Sequence, residues 1–140
     1  MPLAEKQRRL TARYAVIEDH HERLAALVAR GQRWPDATAA ERTDAHLIRG
    51  CTTPVWLAGT VAHGRCHFRI AAGSAVVKGL AALLAELYDG ATPAAILAWE
   101  PGIIEALHLD RHISPTRLHA LAHIRRAIRD FAAASETSSS

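Results

Sequence analysis

The sequence predicts an α+β domain in which helices pack on one face of a small antiparallel sheet. The first part of the chain carries apolar residues at helical spacing, the middle alternates apolar and charged residues, and the remainder returns to helical spacing. At 140 residues the chain has the size of one domain with one core. We therefore predict a single domain over residues 1–133 and a disordered tail of small and polar residues over 134–140.

The first predicted helix runs from Glu5 to Arg30, because leucine, tyrosine, isoleucine and valine recur there on one helical stripe. Gly31 follows at the position where a helix C-cap is expected. The segment from Trp34 to Asp44 combines turn-forming, small and charged residues without a sustained period. It predicts a loop or one short helical turn.

Two extended segments, residues 54–60 and 65–71, are separated by a turn signal at Gly64. In the second segment the apolar and the basic side chains alternate, so they occupy opposite faces. These features predict a half-buried antiparallel hairpin. A short strand from His46 to Arg49 would complete the sheet.

The second half of the chain carries repeated helix-start signals. Ser74 is predicted to cap a helix that ends at Gly90, and Thr92-Pro93 to start a short one. Ile103 to Leu109 predicts a further helical segment. Ser114-Pro115 repeats the cap-plus-proline signal and predicts the start of the last helix.

Composition excludes several classes of function. The sequence has no stretch of 18 or more apolar residues free of charge and no signal-peptide pattern, so we expect no membrane partner and a cytoplasmic location. The formal net charge is +3, but basic residues alternate with acidic ones rather than forming a block. We therefore expect no nucleic-acid partner.

Cys51 is the residue best placed for chemistry. It follows Gly50, which permits a tight loop, and Pro54 closes that loop by restricting the preceding residue. A thiol needs a nearby cation or oriented N–H groups to become a thiolate near neutral pH, and Arg49 is the local cation. From the residues alone, the alternative that Cys51 is an inert, small buried side chain stays open.

The remaining sulfur and imidazole groups predict no metal centre. Cys66 shares the apolar face of the second strand and is expected in the core. His119 and His123 are one helical turn apart, but no carboxylate or cysteine at ligand spacing completes a set. His63 and His67 flank the hairpin turn near Cys66 and are the histidines expected to meet a cysteine.

The segment Gly50-Cys51-Thr52-Thr53-Pro54-Val55-Trp56-Leu57 resembles the cysteine segment of the SufE family, to which SufE and CsdE belong. Three further segments resemble the family in the family's order, and the resemblance spans roughly Arg8 to Phe131. These segments are Ala75-Val76-Val77-Lys78-Gly79-Leu80, Tyr88-Asp89-Gly90-Ala91-Thr92-Pro93 and His112-Ile113-Ser114-Pro115-Thr116-Arg117.

The resemblance implies a SufE/IscU-like fold and a sulfur carrier rather than a stand-alone enzyme. Cys51 would accept persulfide sulfur from a SufS- or CsdA-like cysteine desulfurase, stimulate that enzyme, and pass the sulfur to a cluster scaffold such as SufBCD. The pyridoxal phosphate would belong to the desulfurase, so the chain itself is expected to hold no cofactor. Arg49, Gly50, Trp56 and Arg117 would bind the partner or shape the loop, and a homodimer is left open.

Two other classes of function compete with a sulfur carrier. An IscU-like metal or cluster scaffold would need ligands beside Cys51, for which Cys66 and His67 are the available residues. A non-catalytic protein-interaction module would leave Cys51 inert.

Overall fold

The computed structural model describes residues 1–138, with side chains described through residue 136. It confirms the predicted α+β class: helices pack with a two-stranded antiparallel sheet. The helices and strands, in chain order, are α1 (Leu3–Ala15), α2 (His20–Arg33), β1 (Val55–Ala62), β2 (Arg65–Ala72), α3 (Ala75–Tyr88), α4 (Pro93–Ala98), α5 (Ile103–Ala106), α6 (Leu109–His112) and α7 (Pro115–Ser138).

The hairpin forms where the alternating pattern predicted it. Val55 pairs with Ala72 at its open end, and Ala62 pairs with Arg65 at the turn. His63 and Gly64 both have positive φ, 54° and 75°, which gives the turn the twist that suits two flanking strands. The apolar face of the hairpin packs against α3 and α7, so the helices bury the sheet from that side.

The predicted strand from His46 to Arg49 is reduced to a single bridge. Leu47 pairs with Trp56, with hydrogen bonds from Ile48 N to Val55 O (2.8 Å) and from Leu57 N to His46 O (3.0 Å). The pairing ends because the chain turns away at Gly50, where φ is +92°. The predicted strand was therefore too long.

The single predicted first helix is two helices. Asp19 ends the continuity because its Oδ1 accepts hydrogen bonds from His21 N (2.8 Å) and Glu22 N (3.1 Å), which caps α2. Gly31 is not a C-cap, since α2 continues to Arg33. A Cβ at Gly31 would lie 2.6 Å from the Cα of Gly79, so this glycine permits the close crossing of α2 and α3.

Two boundaries in the last third of the chain also differ from the prediction. The segment from Ile103 to Leu109 is broken at His108, whose φ of 57° is incompatible with a continuing helix. At the end of the chain, α7 continues through the predicted disordered tail as far as Ser138. The run of alanines over 132–134 favours helix, and Ala132 is fully buried. Residues 139 and 140 of that tail lie outside the described residues.

Candidate functional site

Cys51 lies on the loop between the Leu47 bridge and β1, at the open end of the hairpin. Its thiol is free, and its side chain is partly buried against the hydrophobic core. Gly50 adopts φ +92°, a conformation that other residues rarely tolerate. The local sequence thus holds one thiol at the surface of the core on a short, sharply turned loop.

Burial raises the pKa of the Cys51 thiol above its ordinary value. Arg49, the cation expected to activate the thiol, is exposed and forms no ion pair with the described residues. In this arrangement the thiol therefore stays largely protonated at neutral pH. A change in the environment of the loop would be needed to produce the thiolate.

A groove of about 640 Å³ lies on one side of the Cys51 loop, between the segment 45–50 and α7. Its floor is apolar and its rim is charged. The side chains that line it include Leu47, Leu57, Ala127 and Phe131 from the apolar set and His46, Arg49, His123, Arg126 and Asp130 from the polar set.

His123 is the histidine that meets the cysteine loop. A Cβ built on Gly50 would lie 2.6 Å from His123 Nε2 and 2.8 Å from its Cε1, so the imidazole packs directly on the loop backbone. His63 and His67, the histidines expected near Cys66, lie at the other end of the hairpin, where His63 forms the turn and His67 Nδ1 pairs with Asp89 Oδ2 at 3.2 Å. The contact of His123 depends on how α7 packs against the loop, which no local sequence signal indicates.

A second pocket, of about 380 Å³, lies on the other side of the loop. Arg117 lines it together with Thr52 and Thr53, which follow Cys51 directly. Ser74 and Ser114, the N-caps of α3 and α7, also line this pocket, with their Oγ atoms accepting from Val77 N (3.3 Å) and Arg117 N (3.2 Å). The fold thus brings Arg117 beside the cysteine loop.

Trp56, the remaining residue expected to bind the partner or shape the loop, is placed differently. It lies in β1 opposite Leu47 and Ala71, is partly buried, and lines neither of the two cavities beside the loop. Its pairing with Leu47 joins the segment that precedes Cys51 to the edge of the hairpin.

Cys66 occupies the opposite end of the hairpin, paired with Val61 near the turn. It is 0% exposed, as its position on the apolar face predicted. Its backbone bonds to the turn after α3, through Cys66 N to Ala91 O (2.8 Å) and Gly90 N to Cys66 O (2.7 Å). Val61 and Val55 are six residues apart along β1, or about 20 Å at the usual rise, so Cys66 is remote from the Cys51 loop.

Among residues 1–138, no group of three or more histidine, cysteine, aspartate or glutamate side chains is arranged to hold a metal ion. His119 is exposed, whereas His123 is partly buried against Gly50, so the two neighbours on α7 have different surroundings. In the same part of the chain, no helix is both long and apolar enough to cross a membrane.

The fold and the site define a class of protein: an α+β protein that holds a free thiol on a tight loop between a groove and a second pocket. The chain belongs to the SufE family, since the model of that family, described as an Fe-S metabolism associated domain, matches residues 8–132. Its role therefore lies in iron–sulfur metabolism. The fold is also similar to the solution structure of a hypothetical protein from Thermus thermophilus, with a TM-score of 0.78 and 20% identity, covering 94% of this chain and 96% of that chain.

Proposed function

We propose that this protein accepts sulfur on Cys51 from a cysteine desulfurase and passes it on for iron–sulfur cluster assembly. The observation that carries the proposal is the placement of Cys51, on a loop with φ +92° at Gly50 and cavities on both sides, in a chain of the SufE family. A thiol held this way is accessible to a partner protein once the loop moves.

The transfer is a thiol–disulfide type of exchange. The Cys51 thiolate attacks the terminal sulfur of a persulfide on the desulfurase. A new sulfur–sulfur bond forms to Cys51 while the bond to the desulfurase cysteine breaks, and that cysteine leaves as a thiolate. The proton lost from the Cys51 thiol ends on the leaving cysteine, so no external oxidant or reductant is consumed.

The burial of Cys51 gives the partner a role in this reaction. Because burial raises the pKa of the free protein's thiol, the resting loop protects Cys51 from adventitious reaction. Docking of the desulfurase would expose the thiol and lower its pKa. Pyridoxal phosphate would act only in the desulfurase, where it releases sulfur from cysteine, while this chain supplies the accepting thiol.

The test is desulfurase activity with the SufS-like enzyme of the same organism, with and without this protein. We expect stimulation, together with the added mass of one or more sulfur atoms on Cys51 by intact mass spectrometry under non-reducing conditions. Both effects should vanish in Cys51→Ser. Cys66→Ser is the matched control and should keep them, because Cys66 lies in the core at the far end of the hairpin.

Two outcomes would contradict the proposal. Stimulation that persists in Cys51→Ser would return the chain to the class of non-catalytic interaction modules. Stoichiometric metal bound by the purified protein and lost in Cys51→Ser would favour the scaffold class instead.

A further inference from the structure

The arginines of this protein divide into two groups. Within the described residues, nine of the fifteen form an ion pair or a side-chain hydrogen bond. Within the described part of the chain, the other six form neither: Arg8, Arg33, Arg49, Arg111, Arg117 and Arg126.

Three of these six unpaired arginines lie beside the Cys51 loop. Arg49 and Arg126 line the groove on one side, although they come from distant parts of the chain, and Arg117 lines the pocket on the other side. Among the described residues, Asp130 is the single carboxylate that lines either cavity. The loop that carries Cys51 is thus flanked by three arginines without ion-pair partners in that part of the chain, which we call the basic face; Cys51 itself lines neither cavity.

We infer that the basic face docks an acidic surface of the sulfur-donating protein, one that borders its persulfide-bearing segment. This inference rests on the proposed function and adds the chemistry of the partner. Uncompensated charges around a binding site raise the association rate for a partner of opposite charge and fix its orientation. An acidic rim around the donor cysteine would therefore bring the two sulfur atoms together in register.

A protein fits the basic face better than a nucleic acid does. A stable complex with nucleic acid neutralises about 6 to 10 phosphates in typical cases, and three arginines on two sides of a loop provide far fewer contacts. The groove between Arg49 and Arg126 has an apolar floor that includes Leu57 and Phe131, which suits apolar side chains of a protein segment.

Three other arginines of this chain serve as controls for the basic face. Arg8, Arg33 and Arg111 are exposed and, within residues 1–138, unpaired as well, but they belong to α1, α2 and α6 and line neither cavity beside the loop. Reversal of any of these charges changes the net charge by the same amount as reversal at the basic face. A difference between the two sets therefore reports position and not total charge.

The experiment measures the affinity and association rate of the desulfurase for the wild-type protein and for single charge reversals, over salt from about 0.05 to about 0.3 M. Arg49→Glu, Arg117→Glu and Arg126→Glu should each weaken binding roughly tenfold, mainly through slower association, and flatten the salt dependence. Arg8→Glu, Arg33→Glu and Arg111→Glu should stay within about twofold of wild type. Asp130→Asn should strengthen binding.

Folding is controlled by thermal melts and by Arg49→Lys and Arg126→Lys, which keep the charge and should bind much as wild type does. Equal losses in the two sets of reversals, or wild-type binding that does not respond to salt, would overturn the inference. So would tighter binding of a single- or double-stranded oligonucleotide than of the desulfurase.

The persulfide content of Cys51 at saturating desulfurase separates the two proposals. Absence of persulfide on the wild-type protein means that the proposed function fails. If the wild type loads normally while the charge-reversal variants of the basic face bind the desulfurase and load sulfur like the control variants, only the inference about the basic face fails.

Discussion

The two cysteines of this protein occupy opposite ends of one hairpin and have opposite surroundings. Cys51 precedes the open end, on a loop with a glycine at positive φ and cavities on both sides. Cys66 lies near the turn end, fully buried, with its backbone bonded to the turn after α3. Since both residues are free cysteines, we expect any difference in their reactivity to come from how the chain holds each thiol.

The charged groups follow the same division. Near Cys66 they are paired: Asp89 accepts from Phe68 N (3.1 Å) and from His67 Nδ1 (3.2 Å), and Glu86 accepts from Arg13 and Arg30. Near Cys51 the arginines have no such partners among the described residues. One end of the hairpin is stabilised by its polar contacts, and the other keeps its charges available for a partner.

The largest expected difference between the two ends is in alkylation rate. In the native protein, iodoacetamide should modify Cys51 at least about a thousandfold faster than Cys66, because Cys66 becomes accessible only when the domain opens, at a typical cost of about 5 kcal/mol or more. Peptide mass mapping over a time course measures both rates. In denaturant the two rates should converge; similar rates in the native protein would contradict the assigned burial of Cys66.

Gly50→Ala tests whether the loop conformation itself is needed. The alanine would meet both an unfavourable φ of +92° and the His123 ring, so we expect a loss of about 2–4 kcal/mol of stability and a displaced loop with altered Cys51 reactivity. Urea unfolding and the alkylation rate measure the two effects.

Gly64→Ala is the matched control at the turn end. Its φ of +75° is also unfavourable, but none of the described atoms beyond its chain neighbours lies within 4 Å of the added Cβ. It should cost only about 1–2 kcal/mol and leave Cys51 reactivity unchanged. Adding His123→Ala to Gly50→Ala should recover part of the extra stability that Gly50→Ala loses relative to Gly64→Ala. No recovery would mean that the imidazole contact is unimportant.

Asp89→Ala probes the polar contacts at the Cys66 end. The change leaves the N–H of the buried Phe68 without its side-chain acceptor and removes the partner of His67, so we expect about 1–3 kcal/mol of destabilisation. Asp89→Asn keeps an acceptor oxygen and should cost less. Thermal melts measure both variants, while sulfur loading of Cys51 by the desulfurase should be unaffected by either.

The smallest expected effect is on the pH dependence of the Cys51 reaction. Because burial raises the pKa of this thiol, its thiolate fraction in the free protein is lower at a given pH than in an unfolded peptide of the same loop sequence. The alkylation midpoint should therefore lie at higher pH in the protein than in the peptide. A midpoint at lower pH would mean that a cation activates the resting thiol.

The predictions that held rest on neighbours in sequence. Ser74 and Thr92 were expected as caps, and their hydroxyl oxygens accept from Val77 N (3.3 Å) and Ala95 N (3.2 Å). The hairpin likewise follows from alternation and a turn residue. The predictions that were wrong ran one element across a boundary set by a local cap or turn. The first helix is an example, since the Asp19 cap divides it in two.

The site shows the same limit. The segment around Cys51 pointed to the family, which the family match confirms, and made Cys51 the candidate thiol, because those residues are adjacent in the chain. Three features required the tertiary structure: the packing of His123 on Gly50, the placement of Arg49 and Arg126 along one groove, and the partial burial of Cys51. Short-range hydrogen bonds and side-chain periodicity determine the elements, whereas contacts between distant residues depend on how α7 packs against the hairpin, which no local pattern encodes.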